Sequence, residues 1–419
     1  MDSTGPTPQP TWSHTVQFPA RTALAAALVI GLTGAASAPA LADANAPAAA
    51  ASTQRAAPDG KALRAAIKGL PNADATAALV RVGGTDGTWR GSSGVHDVVT
   101  GRKADPHGRF RAGSTTKIVT AALALQLAAE GDLDLDKPVQ YYMPDLFPER
   151  SQDPKKTFKP IPVRSLLNYT SGLRPGDGFD DEYAHRYDTL DYRTVVASAV
   201  SKGPEHDPGD QQHYRNIGYT VLGLLIERVT GDSYARQASE RIFRPLRMRD
   251  TYFPGADLRI RGPHNRGYQS VKQPDGTTRL VDVTEWNQFD RFAAGDMISS
   301  TADLEVFTQA LFGGKVVPRP QLKEMFTLPK LAPGVPGAVF GAGLQRMKVD
   351  DDTVVWLKTG SRYGYTSMIA STENGSRALV YSVNATDAKG KDMNPVAERI
   401  ALTAYATPVM LAKTVTLLG

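Results

Sequence analysis

The chain has 419 residues, of which 41% are hydrophobic and 22% charged, with a formal net charge of +5. That apolar content suffices for one large domain or two. Lys and Arg are interspersed with acids rather than gathered into the aromatic-flanked basic stripe that nucleic-acid binding requires, so no nucleic-acid partner is expected. Cysteine is absent, which excludes disulfides, thiolate catalysis and Cys-ligated metals.

Arg21, the only Lys or Arg ahead of it, precedes an apolar run from Thr22 to Leu32, and small residues ending at Ala40-Leu41-Ala42 follow. This is the layout of an export signal over residues 1–42, cleaved after Ala42, with a secreted or extracytoplasmic destination. The thin basic region leaves a retained anchor as the alternative, although the run is short for a membrane span. Residues 43–58 are Ala-rich without hydrophobic period and read as a linker. No later apolar run has membrane length, so no stable span is expected once the signal is removed.

Lys61 to Leu70 reads as a short helix. Thr76 to Val82 and Trp89 to Asp97 read as strands around a Gly83-Gly84-Thr85-Asp86-Gly87 turn. From Ser114 to about Phe340 the pattern is mostly helix and loop. Ile217 to Val229 is apolar at helical spacing, Arg164 to Leu167 begins a helix that stops at Thr170-Ser171-Gly172, and Ser300 or Thr301 caps a helix running to Phe312. Strands return over Thr353 to Lys358, Tyr365 to Thr372 and Arg377 to Asn384, the last two flanking a Glu373-Asn374-Gly375 turn. Asn394 and Pro395 open a closing helix. The pattern predicts an α+β fold: one antiparallel sheet assembled from both chain ends and flanked by terminal helices. A mostly helical lobe, about 114–340, is inserted between them, with a site in the cleft. The catalytic domain is placed at 59–407, and 408–419 is a tail.

Three patterns carry chemistry. Ser114-Thr115-Thr116-Lys117 opens an apolar helix (Ile118, Val119, Ala121, Ala122, Leu123, Leu125, Leu127) that stops at Gly131. Residues i and i+3 share a helix face, so the hydroxyl and the amine point the same way. A partly desolvated Lys can accept the proton that makes a Ser nucleophilic. Tyr214-Arg215-Asn216 sits on a loop just before a helix. Its Tyr can relay a proton, and its Asn amide can serve both a substrate carbonyl and a Lys; a packing Tyr and a capping Asn are the plainer alternative. Lys358-Thr359-Gly360 is placed at a strand end leading through Ser361. Lys358 supplies positive charge, Thr359 a hydroxyl for a carboxylate, and Gly360 room for substrate backbone to lie along the strand. The backbone N–H groups of Ser361 and Ser114 form a candidate oxyanion hole. The order and local context of the three patterns matter more than any one of them.

Together these motifs resemble the serine β-lactamase and penicillin-recognising superfamily, for which Ser-x-x-Lys with Lys-Thr-Gly is a known signature. The chain is most similar to the secreted D-alanyl-D-alanine carboxypeptidases of the class C-like branch. Further similar stretches are Phe110 to Ser114, Glu130 to Asp136, Val163 to Asn168, Thr170 to Leu173, Arg241 to Leu246, Gly295 to Thr301 and Phe340 to Leu344. The resemblance spans about residues 60–407.

The resemblance implies that Ser114 is acylated, and that Lys117 and Tyr214 pass its proton to the leaving group while Asn216 orients the substrate amide. Lys358 and Thr359 then hold a terminal carboxylate and keep Tyr214 acidic. Arg346 is a second candidate anchor, or else a surface Arg on a strand. The implied ligands are peptides ending in D-Ala-D-Ala, or β-lactams, met by a monomer. Three departures stand out: Arg215 where the family usually has Ser, Lys358 where close carboxypeptidases often have His, and Tyr169 where His commonly precedes Thr-Ser-Gly. A class C-type β-lactamase, a D-amino-acid amidase, an esterase and an idle penicillin-binding sensor remain alternatives. The seven histidines, His107, His213 and His264 among them, do not form a His-Glu-x-x-His spacing. No Walker-type loop is present, so no cofactor or metal is expected.

Overall fold

The computed structural model describes residues 57–147, 153–273, 275–350 and 353–405. The export signal, all but the last two residues of the Ala-rich linker, and the tail from 408 lie outside the described residues.

Helix α1 (Gly60–Ala66) is capped by the Asp59 carboxylate, which accepts from the Lys61 and Ala62 N–H groups at 2.9 Å each. Strands β1 (Ala75–Gly83) and β2 (Trp89–Gly94) form the expected hairpin. The second strand stops short of Asp97 because Gly94 turns left-handed, at φ 93°. Strand β3 (Phe110–Arg111) delivers the chain into a 3₁₀ turn, Gly113–Thr115, and then helix α2 (Thr116–Glu130), closed by left-handed Gly131 at φ 84°.

The helical lobe follows with α3 (Val139–Tyr142), α4 (Val163–Leu167), α5 (Tyr192–Ser201), α6 (Asn216–Thr230) and α7 (Tyr234–Ala238). A hairpin of β4 (Tyr268–Lys272) and β5 (Thr278–Asp282) interrupts it. Sequence reading missed this hairpin; its signal was the Asp275-Gly276 turn between short alternating segments. Strand β6 (Ile298–Ser299) pairs with β3. Helix α8 (Thr301–Phe312) starts where Ser300 Oγ accepts from the Asp303 N–H, and α9 (Arg319–Phe326) ends the lobe.

Four strands return to the main sheet: β7 (Gln345–Lys348), β8 (Val354–Arg362), β9 (Tyr365–Thr372) and β10 (Ala378–Ala385). Helix α10 (Pro395–Tyr405), capped by Asn394, closes the described chain. The sheet is fully antiparallel in the order β2-β1-β10-β9-β8-β7, so strands from the two ends of the domain meet at β1 and β10.

Alternation along the strands gives the sheet two apolar faces. One packs Val80, Val82, Leu379 and Tyr381 against Leu63 of α1 and Val396 and Ile400 of α10. The other packs Trp356, Ile369 and Val380 against the lobe, whose centre is α2. Ile118, Val119, Leu123 and Leu125 of α2 are fully buried, each contributing about 1.5–3 kcal/mol. The nucleophile motif is therefore fixed to a helix buried along most of its length.

One motif sits elsewhere than expected. Lys358-Thr359-Gly360 does not end a strand: β8 continues through Arg362, pairing Gly360 with Ser367 and Arg362 with Tyr365. The turn falls at Tyr363-Gly364, with Gly364 at φ 77°. Gly360, which resembles a breaker in the sequence, is kept in the strand by what it packs against.

Candidate active site

Ser114 occupies the middle of the 3₁₀ turn that enters α2. The turn is pinned on both sides. Thr116 Oγ1 donates to Gly113 O at 2.7 Å and accepts from Met297 N at 3.1 Å, and Ala112 N donates to Met297 O at 2.9 Å. Gly113 adopts φ 54°, and a β-carbon there would lie 2.6 Å from Ser361 N. A β-carbon on Gly360 would overlap the Ala112 carbonyl oxygen and come 2.6 Å from Ser367 Oγ. The two glycines thus let the nucleophile turn and strand β8 touch backbone to backbone. Gly360 was expected to leave room for substrate; the structure uses it for this internal contact instead.

Lys117, one turn on from Ser114 and the second residue of α2, is fully buried. Its Nζ is 3.1 Å from Ser114 Oγ, 2.8 Å from Asn216 Oδ1 and 2.5 Å from the Ala294 carbonyl oxygen. Burial drives its pKa well below that of an ordinary lysine, and the positive charges of Lys358, Arg291 and Lys389 add to the effect. Asn216, the first residue of α6, reaches Lys117 because α6 packs against α2.

Tyr214, on the loop before α6, lies near enough to Ser114 for the hydroxyl to act on its phenol. Its ring centroid is 5.1 Å from Lys117 Nζ and 4.8 Å from Lys358 Nζ. Burial nonetheless pushes the phenol up to about 12, the Ser114 hydroxyl acting the other way. In the free protein desolvation outweighs the effects of Ser114 and the Arg291 charge, and at neutral pH the phenol keeps its proton.

Behind Tyr214 stand Tyr169, with ring centroids 4.9 Å apart, and Phe340 at 5.7 Å. Tyr169 holds a left-handed backbone, φ 64°, that is costly for a bulky residue. Arg215 turns its guanidinium onto Glu205, 3.1 and 3.2 Å from the two carboxylate oxygens.

Lys358 is buried, its Nζ donating to Thr359 O at 2.7 Å, and burial lowers its pKa to about 7. Thr359 beside it is exposed, and Ser361 Oγ donates to the Ala388 carbonyl. The β7–β8 ladder covers Val354 to Leu357 and ends there, leaving the outer edge of Lys358 to Ser361 without a partner strand among the described residues. Arg346 is not gathered with the others. It is exposed on β7 opposite Trp356, and no described contact joins its guanidinium to Ser114, Lys117, Tyr214 or Lys358.

Sequence reasoning missed four contributors: the Ala294 carbonyl, Asp296, Arg291 and Lys389. Ala294 borders the Gly295-Asp296-Met297 stretch and Asp296 lies within it, the one signal available. A backbone carbonyl has no residue signature, and the two cations come from separate loops. Asp296 is buried and burial raises its carboxyl to about 8. The structure also brings Glu205, His206 and His213 together, a grouping that no His-Glu-x-x-His spacing foretells.

The Beta-lactamase family model matches residues 63–404. Protein flp of Staphylococcus aureus strain MW2 is 30% identical over 213 residues, 51% of this chain but 40% of that protein, so the chain spans less than half of that relative's length. The D-stereospecific amidohydrolase of a Streptomyces species superposes with a TM-score of 0.69 at 30% identity, covering 83% of this chain and 99% of that one. The D-amino acid amidase of Ochrobactrum anthropi SV3, solved with D-phenylalanine, gives 0.65 at 26%, covering 82% and 98%. Fold, motif order and these matches place the chain in the serine hydrolase superfamily of β-lactamases and penicillin-binding proteins, as a member of the Beta-lactamase family.

Proposed function

We propose that the protein is a serine amidohydrolase that transfers a D-configured acyl group from a short amide or peptide to Ser114 and then to water. The observation that carries this reading is the set of partners around Lys117. A neutral lysine amine has two N–H donors and one lone pair. Asn216 Oδ1 and the Ala294 carbonyl can only accept, so they take both donors and leave the lone pair on the Ser114 hydroxyl. Burial lowers the pKa of Lys117 and so favours the neutral amine that a general base requires.

In this reading Ser114 Oγ attacks the substrate carbonyl as its proton passes to Lys117. Tyr214, protonated, donates to the leaving nitrogen and is recharged from Lys117. The backbone N–H groups of Ser114 and Ser361, brought side by side by Gly113, receive the oxyanion. Substrate backbone lies along the free edge of β8 as an added strand. The composition of residues 1–42 fits work outside the cytoplasm.

An amidase is preferred over a D-Ala-D-Ala carboxypeptidase because Arg346, the expected second carboxylate anchor, stands apart from the gathered groups. The carboxypeptidase reading keeps one specific support: Lys358, Arg291 and Lys389 all raise the positive potential at Lys117, which attracts a substrate ending in a carboxylate. Full-length protein incubated with D- and L-phenylalanine amide, N-acyl-D-Ala-D-Ala, a cephalosporin and a short-chain ester separates the cases. Turnover of the D-amide without the L-amide is expected, and its loss in Ser114→Ala. Release of D-alanine alone would favour the carboxypeptidase, and rapid lactam turnover with neither amide nor peptide cleaved would overturn both.

A further inference from the structure

We propose that Glu205, His206 and His213 form a binding site for a divalent transition-metal ion of the zinc class, built into the loop that leads to Tyr214. Donor atoms of the three side chains all lie within 4.8 Å of one another, and each residue is half-buried. Two imidazoles and one carboxylate are the ligand set of many zinc centres, with a fourth position open to water. Ligands around a tetrahedral zinc at about 2.1 Å stand roughly 3.4 Å apart, so no pair of these donors has to close by more than about 1.4 Å.

The surroundings prepare these groups. His206 Nδ1 lies 2.8 Å from the Asp207 carbonyl oxygen. That oxygen only accepts, so Nδ1 carries the proton and Nε2 presents its lone pair, the orientation that outer-shell bonds impose on metal-bound histidines. His213 Nδ1 is buried 3.3 Å from Glu205 Oε2, too poorly aligned for a hydrogen bond. The two imidazoles meet at 5.2 Å and 88°. Their backbones are held: Glu205 N donates to Gly172 O at 2.7 Å and His213 N to Tyr169 O at 2.9 Å.

Arg215 competes for the same carboxylate, 3.1 and 3.2 Å from its oxygens. A metal at Glu205 displaces this guanidinium, so the ion and Arg215 exchange on one carboxylate one residue from Tyr214. This binding claim does not depend on the hydrolase reading.

The test is titration of the full-length protein with zinc chloride by calorimetry near neutral pH. One site with a Kd on the order of micromolar is expected. His206→Ala and His213→Ala should each weaken it by about a hundredfold, and Arg215→Ala should tighten it by removing the rival cation. Ser114→Ala should bind as well as the parent, which separates this site from the catalytic reading. Cobalt(II) should give the intense visible absorption of tetrahedral coordination in the unmodified protein, a readout that needs no variant to fold. No saturable zinc binding, binding unchanged in both His206→Ala and His213→Ala, or only weak octahedral cobalt bands would each overturn the proposal.

Discussion

Gly360 of strand β8 rests directly on the Ala112 carbonyl, two residues before Ser114, with no space for a side chain between them. The contact couples the sheet to the nucleophile turn backbone to backbone, beside the Ser367 hydroxyl that donates to the same carbonyl at 2.8 Å. Gly360→Ala should therefore force strand and turn apart, at an overpacking cost of about 1–3 kcal/mol. Thermal unfolding should register that cost. The kcat of the variant should fall well beyond what the lost stability explains, because Ser114 and Ser361 move relative to each other. Unchanged turnover would mean that this contact does not set the site.

Lys117→Met keeps the volume of the stem and removes the base. A fall in kcat of about 10²–10⁴ is expected, with KM changed far less, since the amine faces Ser114 rather than open solvent. Single-turnover acylation measured by mass of the Ser114 adduct checks the assignment. A variant acylating at the parent's rate would remove Lys117 from the reaction.

Lys358 sets a pH dependence whose sign depends on the substrate. Burial lowers its pKa to about 7, so the ammonium is present below that pH and lost above it. For a peptide ending in a carboxylate, kcat/KM should decline as pH rises through 7; for a neutral amide this decline should be absent. Lys358→Met should abolish the difference between the two profiles. Parallel profiles in the parent protein would show that Lys358 does not meet the carboxylate.

Tyr169 tests the wall behind the phenol. Tyr169→Ala removes a buried ring packed against Tyr214, Tyr219 and Phe340, and a loss of about 3–5 kcal/mol is expected for an aromatic truncation. Tyr169→Phe should retain both stability and turnover, because the ring supplies the packing.

Asp296 links stability to pH in the opposite direction from an ordinary carboxylate. Its folded pKa, about 8, lies above the usual 3.8. The folded state keeps a proton that the unfolded chain releases, so its contribution is complete below about pH 4 and is lost as pH rises through 8. Asp296→Asn removes this slope. The variant should gain on the parent with rising pH, by on the order of a few kcal/mol above pH 8, as read from denaturant midpoints. A constant difference across the range would mean that Asp296 is ionised when folded.

Much of this fold is written in local pattern. The α2 and α6 helices, the β9–β10 hairpin and the Asn394 cap follow from apolar period and turn chemistry, which act over a few residues. The β4–β5 hairpin escaped because both strands are only five residues long and β5 is mostly exposed. The end of β8 was misplaced because a glycine inside a strand resembles a stop until its packing partner is known.

The sequence by itself determined which groups can do chemistry and the local setting of each: a hydroxyl three residues from an amine at a helix start, a phenol before a second helix, a lysine on a strand. Only the tertiary structure decided how those groups ionise and which of them meet. The Lys117 pKa falls because its side chain is fully buried, and Tyr214 keeps its proton because desolvation exceeds the opposing effects of Ser114 and the Arg291 charge. Arg346 is left outside, and Glu205 joins two histidines. Burial and through-space charge are sums over residues distant in the chain, and no short motif carries those sums.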